Sequence, residues 1–163
     1  MSPALIRPGR SEDAEALADL FNAINSMDGP PPPVPMTATA VRRDLLGPDP
    51  WAVLLVAEVE GDLRGFVTGN PVYDSARAAG AFFLNDLYVV PEARRQGIGR
   101  ALVAHLAAMA RRRGAGCLWW GVDLGDDWAF AFYRALGAED EGPFRGHLLI
   151  GPAFDSLASQ AVS

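Results

Sequence analysis

The sequence predicts a mixed α/β fold in one domain, since 163 residues is about the length of a single ordinary domain. Three observations carry that expectation. Two apolar runs, Trp51 to Val59 and Leu63 to Tyr73, flank the turn Glu60-Gly61-Asp62 and read as an antiparallel hairpin. From Gly97 to Arg113 the apolar residues Ile98, Leu102, Leu106 and Met109 recur at helical spacing. Strand and helix signals follow one another along the whole chain, and no internal repeat is visible.

In chain order, Ala4-Leu5-Ile6-Arg7 ahead of Pro8 and Gly9 reads as a short first strand. Ser11 is placed to cap an amphipathic helix that presents Leu17, Leu20, Phe21 and Ile24 and stops near Asn25. The stretch from Asp28 through Pro33 cannot be helical, because proline lacks an N–H and restricts the residue before it, so an extended loop is expected. A short helix should run from Thr37 or Thr39 to Leu46, ended by Gly47 and Pro48. After the hairpin, a strand from Ala81 to Val90 is apolar except at Asn85 and Asp86, and Pro91 ends it. Gly114 and Gly116 terminate the long helix. Cys117 to Leu124 then reads as a buried strand, Trp128 to Leu136 as a short helix stopped by Gly137, and Arg145 to Ile150 as a last strand.

Half of the residues are hydrophobic, enough for a substantial core. The apolar runs are broken well before the ~18 residues a membrane span needs, and no charged start precedes a long apolar stretch. No membrane partner and no secretion signal are therefore expected, which places the chain in the cytoplasm. One cysteine and two histidines cannot build a disulfide framework or a thiolate–imidazole zinc site, so no metal is expected. Fourteen basic against 20 acidic residues leave a net charge of −6, a poor match for a nucleic acid. Every basic residue is arginine, which excludes a Walker A loop and lysine Schiff-base chemistry.

The most informative stretch runs from Leu87-Tyr88-Val89-Val90-Pro91 through Glu92-Ala93-Arg94-Arg95-Gln96-Gly97 to Ile98-Gly99-Arg100-Ala101-Leu102: an apolar strand, a basic turn with glycine, then a helix. Helix starts carry unpaired N–H groups and partial positive charge, and glycines there let an anion come close. Between Ala93 and Val122 lie six arginines and no acidic residue. Arg111 to Arg113 complement the dipole at the helix end, so Arg94, Arg95 and Arg100 are the phosphate candidates. A dinucleotide fingerprint is disfavoured, because the position three after Gly99 is the bulky Leu102.

Arg94-x-x-Gly97-x-Gly99 after an apolar strand resembles the acyl-CoA-binding motif of the GCN5-related N-acetyltransferase (GNAT) superfamily. A second block, Trp120-Gly121-Val122 followed by Ala131-Phe132-Tyr133-Arg134-Ala135-Leu136-Gly137-Ala138, is similar to the later strand and helix of the same family. The order of elements from Leu5 to Ile150 also fits, and Leu84-x-Asp86-Leu87-Tyr88-Val89 is most like the diamine-acetyltransferase branch. The resemblance implies a single N-acetyltransferase domain over residues 1–163, with a mixed, mostly antiparallel central sheet flanked by helices, and a possible homodimer.

It also implies chemistry. The substrate amine attacks the thioester of acetyl-CoA directly, so the demands on the protein are positional. The main chain of Leu87 and Val89 would pair with the pantetheine arm, with the Leu87 N–H the donor to the carbonyl. The backbone from Arg95 through Gln96, Gly97 and Ile98 to Gly99, with Arg94 and Arg100, would hold the pyrophosphate. Tyr133 would be the general acid for the departing sulfur. Related enzymes often carry an acidic residue where this chain has Asn85, and an amide cannot accept a proton. That leaves a base acting through water, or Asp86, which faces away from Asn85 unless a bulge turns it. Asp126 stands where relatives have a cofactor-contacting asparagine, and is expected to serve as a helix N-cap instead.

Cys117, His105 and His147 are expected to be ordinary structural residues, and Trp119, Trp120 and Trp128 to line the core or a pocket. The excess of carboxylates, Asp123, Asp126, Asp127, Glu139, Asp140 and Glu141 among them, suits a small cationic substrate with a primary amine, polyamine-like or amino-acid-like. The alternative is a non-catalytic acyl-CoA-binding sensor or interaction module, which would keep the turn at Arg94–Gly99 and relax the base.

Overall fold

Four strands, three of them rich in valine, leucine or phenylalanine, pair as an antiparallel ladder, and a short fifth strand joins in parallel. The computed structural model describes residues 3–27 and 29–161, and the chain divides after Gly121 into two compact units. In the first unit the elements are β1 (Leu5–Pro8), α1 (Ala14–Ile24), α2 (Ala38–Asp44), β2 (Val53–Val59), β3 (Asp62–Asp74), β4 (Ala79–Val89), α3 (Ile98–Arg112) and β5 (Cys117–Trp119). The strands lie in sequence order across the sheet. The mixed, mostly antiparallel sheet expected from the sequence is what the chain forms.

Each face of the sheet is covered. On one, Phe66 and Tyr88 pack against Leu17 and Phe21 of α1 and Val41 of α2, with the Phe21 and Phe66 rings 4.3 Å apart. Phe66 is wholly buried, so truncating it to alanine should cost about 3–5 kcal/mol. On the other face, Leu102 and Leu106 of α3 are completely buried. Gly69 lies under that helix: a Cβ there would come within 2.9 Å of the Phe83 carbonyl and 3.1 Å of the Leu106 side chain. Only glycine lets α3 and β4 approach the strand this closely.

Arg7 anchors β1 to both its neighbours. Its Nη1 and Nη2 donate to the two oxygens of Asp13 at 2.7 and 2.9 Å, and its Nε donates to Glu58 at 2.7 Å. Asp13 also accepts the Arg10 N–H at 2.7 Å. Asp13, not Ser11, therefore secures the entry to α1, and Ser11 sits in a single 3-10 turn ahead of it. The cap expected at Ser11 gives way because the Arg7 fork holds Asp13 in place. Thr37 does cap α2, accepting the Ala40 N–H at 3.2 Å. The proline-rich connection is irregular as expected, Asp28 excepted, which lies outside the described residues. Its far end is held by Asn22, which donates to the Met36 carbonyl and accepts the Met36 N–H.

Two strands depart from expectation. β5 covers Cys117–Trp119 only, pairing with Ala81 to Phe83, and the residues up to Asp126 are irregular rather than a buried strand to Leu124. The ladder stops where β4 reaches an irregularity at Asn85, and such a bulge bends a strand away from its neighbour. Trp119, the last paired residue of β5, is 41% exposed and so is not part of the core. In the second unit, α4 (Asp127–Leu136) is as expected and stops at Gly137 in the left-handed conformation, φ +92°. No strand forms among the described residues at 145–150. That run finds no ladder partner, and Pro152 near its start supports a further helix, α5 (Gly151–Ala158), instead. Trp128 on α4 is exposed, again contrary to a core role.

Candidate active site

The irregularity in β4 organises the site. Thr68 pairs with Asp86, but the next residue, Gly69, pairs with Leu84, so Asn85 is an extra residue on β4. The Asn85 amide donates to Oδ1 of Asn70 at 2.9 Å, and Asp86 accepts through Oδ2 from the Thr68 hydroxyl at 2.6 Å. Thr68 and Asn70 are two apart on a regular stretch of β3 and share a face. Asn85 and Asp86, though adjacent, therefore project to the same side, because the bulge breaks the alternation that would have set Asp86 on the face opposite Asn85.

The same bulge fixes where the main chain points. The Asp86 N–H donates to the Thr68 hydroxyl at 3.2 Å and the Val90 N–H to the Arg64 carbonyl at 3.0 Å, both toward β3. By alternation, Leu87 and Val89 turn their N–H groups to the opposite edge. β5 pairs with β4 only as far as Phe83, so that edge has no strand partner from Leu84 to Val89 among the described residues. It can accept an extended ligand as an added strand would be accepted.

Beyond Val89 the chain makes one 3-10 turn, Pro91–Ala93, and then the basic turn into α3. Arg95 has φ +64° and Gly97 φ +83°, two left-handed residues in three. A left-handed residue beside a right-handed one in a turn points successive main-chain N–H groups into a common concavity. A Cβ placed on Gly97 would meet nothing within 4 Å, so this surface is open to a ligand. The Ala101 N–H is the first to bond back, to the Gly97 carbonyl at 3.0 Å, and the donors before it lie at the positive end of the helix dipole. No acidic residue stands in this first turn. Arg95, Gln96 and Arg100 are exposed and Gly99 is half-buried, whereas the Ile98 side chain is packed in the core and only its main chain can serve a ligand. The turn thus fits a diphosphate.

Arg94 is tied inward as well. Its Nε donates to the Val89 carbonyl at 3.0 Å and its guanidinium lies 5.9 Å from the Tyr88 ring centroid. The Gln96 side chain is likewise turned onto the Glu92 carbonyl at 3.1 Å.

Tyr133 lies on α4 in the second unit, half-buried with its ring edge-on to Phe132. Burial, and after it the negative charge of Asp126, pushes its phenol up to about 12. The phenol therefore keeps its proton at any physiological pH. Asp126 caps α4 through Oδ1, accepting the Ala129 N–H at 2.9 Å, as its place ahead of the helix suggested.

The structure gathers Asp86, Leu87, Val89 and the residues from Arg94 to Arg100 at one corner of the first unit. Sequence reasoning missed Thr68 and Asn70, which partner Asp86 and Asn85. Their signal was two polar residues at alternate positions in an otherwise apolar strand, Gly65-Phe66-Val67-Thr68-Gly69-Asn70.

Comparison with known proteins identifies the family. The sequence profile of the Acetyltransferase (GNAT) family matches residues 14–138. The chain is 30% identical over 148 residues to the uncharacterized N-acetyltransferase YhfO of Bacillus subtilis, covering 91% of this chain and 98% of that protein. It is 30% identical over 147 residues to the thialysine N-epsilon-acetyltransferase of Bos taurus, covering 86% of each. Among solved structures, an integron cassette protein from the mobile metagenome of V. cholerae shares the fold with a TM-score of 0.78 at 19% identity, over 98% of this chain and 100% of its own. With a family match over residues 14–138 and a relative 30% identical across nearly its whole length, the chain belongs to the GNAT family of acetyltransferases and is an acyl-CoA-dependent N-acyltransferase.

Proposed function

We propose that the enzyme transfers an acetyl group from acetyl-CoA to a primary amine of a small polyamine-like or amino-acid-like molecule. The observation that carries this reading is the unpartnered edge of β4 at Leu87 and Val89, which leads into the turn whose main chain opens at Gly97. Along that edge Leu87 and Val89 hold the pantetheine arm. The main chain of Arg95, Gln96, Gly97, Ile98 and Gly99, with Arg94 and Arg100, holds the pyrophosphate. Acetyl-CoA supplies an activated carbonyl. The amine nitrogen forms a bond to it as the carbon–sulfur bond breaks. The Leu87 N–H donates to the carbonyl oxygen as charge builds there. Asp86, through a water, accepts the proton that the ammonium must lose, and Tyr133 gives one to the sulfur.

The bovine relative's name specifies the ε-amine of a lysine analogue, and the surplus of carboxylates over arginines suits such a cationic acceptor. We place the reaction in the cytoplasm, in one N-acetyltransferase domain spanning residues 1–163 that acts as a homodimer without nucleic-acid or membrane partners. Among the described residues no helix is long and apolar enough to cross a membrane.

The test is thiol release from acetyl-CoA with a panel of diamines, dibasic amino acids and aminoglycosides. Turnover with a diamine or dibasic amino acid, lowered in Tyr133→Phe, is expected. Binding of acetyl-CoA without turnover, unaffected by Tyr133→Phe, would establish the sensor or interaction module in its place.

A further inference from the structure

We infer that Thr68 is a positioning residue for this reaction: its hydroxyl holds the bulge at Asn85 and the carboxylate of Asp86 in the arrangement that catalysis needs. The inference rests on the acetyl-transfer reading above, and deepens it by naming the group that sets the geometry of its proton acceptor.

Thr68 is 2% exposed and lies between Val67 and Gly69 in the middle of β3. At such a position a strand ordinarily carries an aliphatic residue, because a buried hydroxyl is costly unless bonded. Here it is bonded twice to one residue. It donates to Asp86 Oδ2 at 2.6 Å and accepts the Asp86 N–H at 3.2 Å. A bulge disturbs the main-chain ladder, and the hydroxyl catches the N–H next to it.

Two consequences follow from the same pair of bonds. With the Asp86 N–H held toward β3, the Leu87 N–H one residue on is held toward the open edge. With Oδ2 engaged, the carboxylate plane is fixed, and Oδ1, which Thr68 does not engage, is presented on the face where Asn85 and Asn70 form the neighbouring amide pair. A threonine that only filled the core would need neither bond. Valine has the same shape and would fill the space as well.

The experiment compares Thr68→Val, Thr68→Ser and Thr68→Ala, alone and combined with Asp86→Asn, by thiol release at varied acetyl-CoA and amine between pH 6 and 9, with thermal unfolding recorded for each. Thr68→Val should lower kcat about tenfold while KM for acetyl-CoA moves less than about threefold. Thr68→Ser, which keeps the hydroxyl, should stay within about twofold of the parent. In the Asp86→Asn background Thr68→Val should cost clearly less than it does alone, since the share that acts through the carboxylate is already lost. Should Thr68→Val fail to fold, Thr68→Ala against Thr68→Ser gives the same contrast. Parent-like kcat in a folded Thr68→Val or Thr68→Ala, or losses that multiply with Asp86→Asn, would overturn this inference alone. A parent enzyme inactive with every amine would overturn the acetyl-transfer reading and this inference with it.

Discussion

The Arg94 guanidinium donates through Nε to the Val89 carbonyl at 3.0 Å, bracing the corner where β4 gives way to the basic turn before α3. The carbonyl it takes belongs to a residue whose N–H faces the open strand edge, so the arginine stabilises the protein at the point where the cofactor is proposed to bind. Arg94→Ala should therefore lower stability by about 1–3 kcal/mol, the range for a charged hydrogen bond plus its stacking on Tyr88. It should also raise KM for acetyl-CoA. Thermal unfolding and initial rates read the two separately. A raised KM with an unchanged melting temperature would show that Arg94 serves the phosphates only.

The two left-handed residues of the turn predict opposite stability effects. Arg95 has φ +64°, where an L-residue is strained, so Arg95→Gly should gain up to about 1 kcal/mol, offset by the freer unfolded chain. Gly97→Ala should lose about 1–2 kcal/mol at φ +83°. Because the added methyl meets nothing in the protein, its larger effect should fall on acetyl-CoA binding, measured by calorimetry. Equal affinity in Gly97→Ala would mean that the cofactor does not approach this turn.

For Tyr133 the sign follows from its raised value, about 12 against an ordinary 10.0. The native state favours the neutral phenol, so its contribution to stability is complete below pH 10 and is lost as pH rises toward 12. Alkaline unfolding of the parent should be steeper across that window than that of Tyr133→Phe. As an acid, the phenol should give kcat no alkaline limb of its own below pH 10, and Tyr133→Phe should lower kcat about 10- to 100-fold. Asp126→Asn removes the nearby negative charge and should bring the phenol down.

Asp13 predicts the acid side. The Arg7 guanidinium, and after it the Arg10 N–H, holds its carboxyl below the usual 3.8. A depressed value contributes stability that is full above about pH 4 and is lost as pH falls through the native value. Asp13→Asn should cost about 2–3 kcal/mol at pH 7, since it strips the part-buried Arg7 of one partner while Glu58 remains. The difference from the parent should shrink in acid. A constant difference across pH would show that the carboxylate is not the stabilising group.

The parts of this molecule legible in its sequence are those where local chemistry and tertiary packing agree. The hairpin at Gly61, the four-residue spacing from Ile98 to Leu106 and the stop at Gly137 each need only nearby residues to be understood. Asn85 and Asp86 were visible as polar residues in an apolar run, but strict alternation assigns them to opposite faces, and only a pairing register reveals the extra residue. Thr68 was obscured for the same reason, because its partner lies 18 positions away. Arg145 to Ile150 misled differently. Its apolar residues have strand propensity, yet a strand requires a neighbour to bond with, and propensity does not supply one.

The bulge leaves β4 as two half-strands out of phase, joined at a single supernumerary residue. Before it, Phe82 faces α3 and lies 5.8 Å beneath the Arg113 guanidinium; after it, Tyr88 stacks toward Phe66 on the far side. A lineage that lost one amino acid here could keep either anchor but not both, so this strand can vary in side-chain identity far more readily than in length.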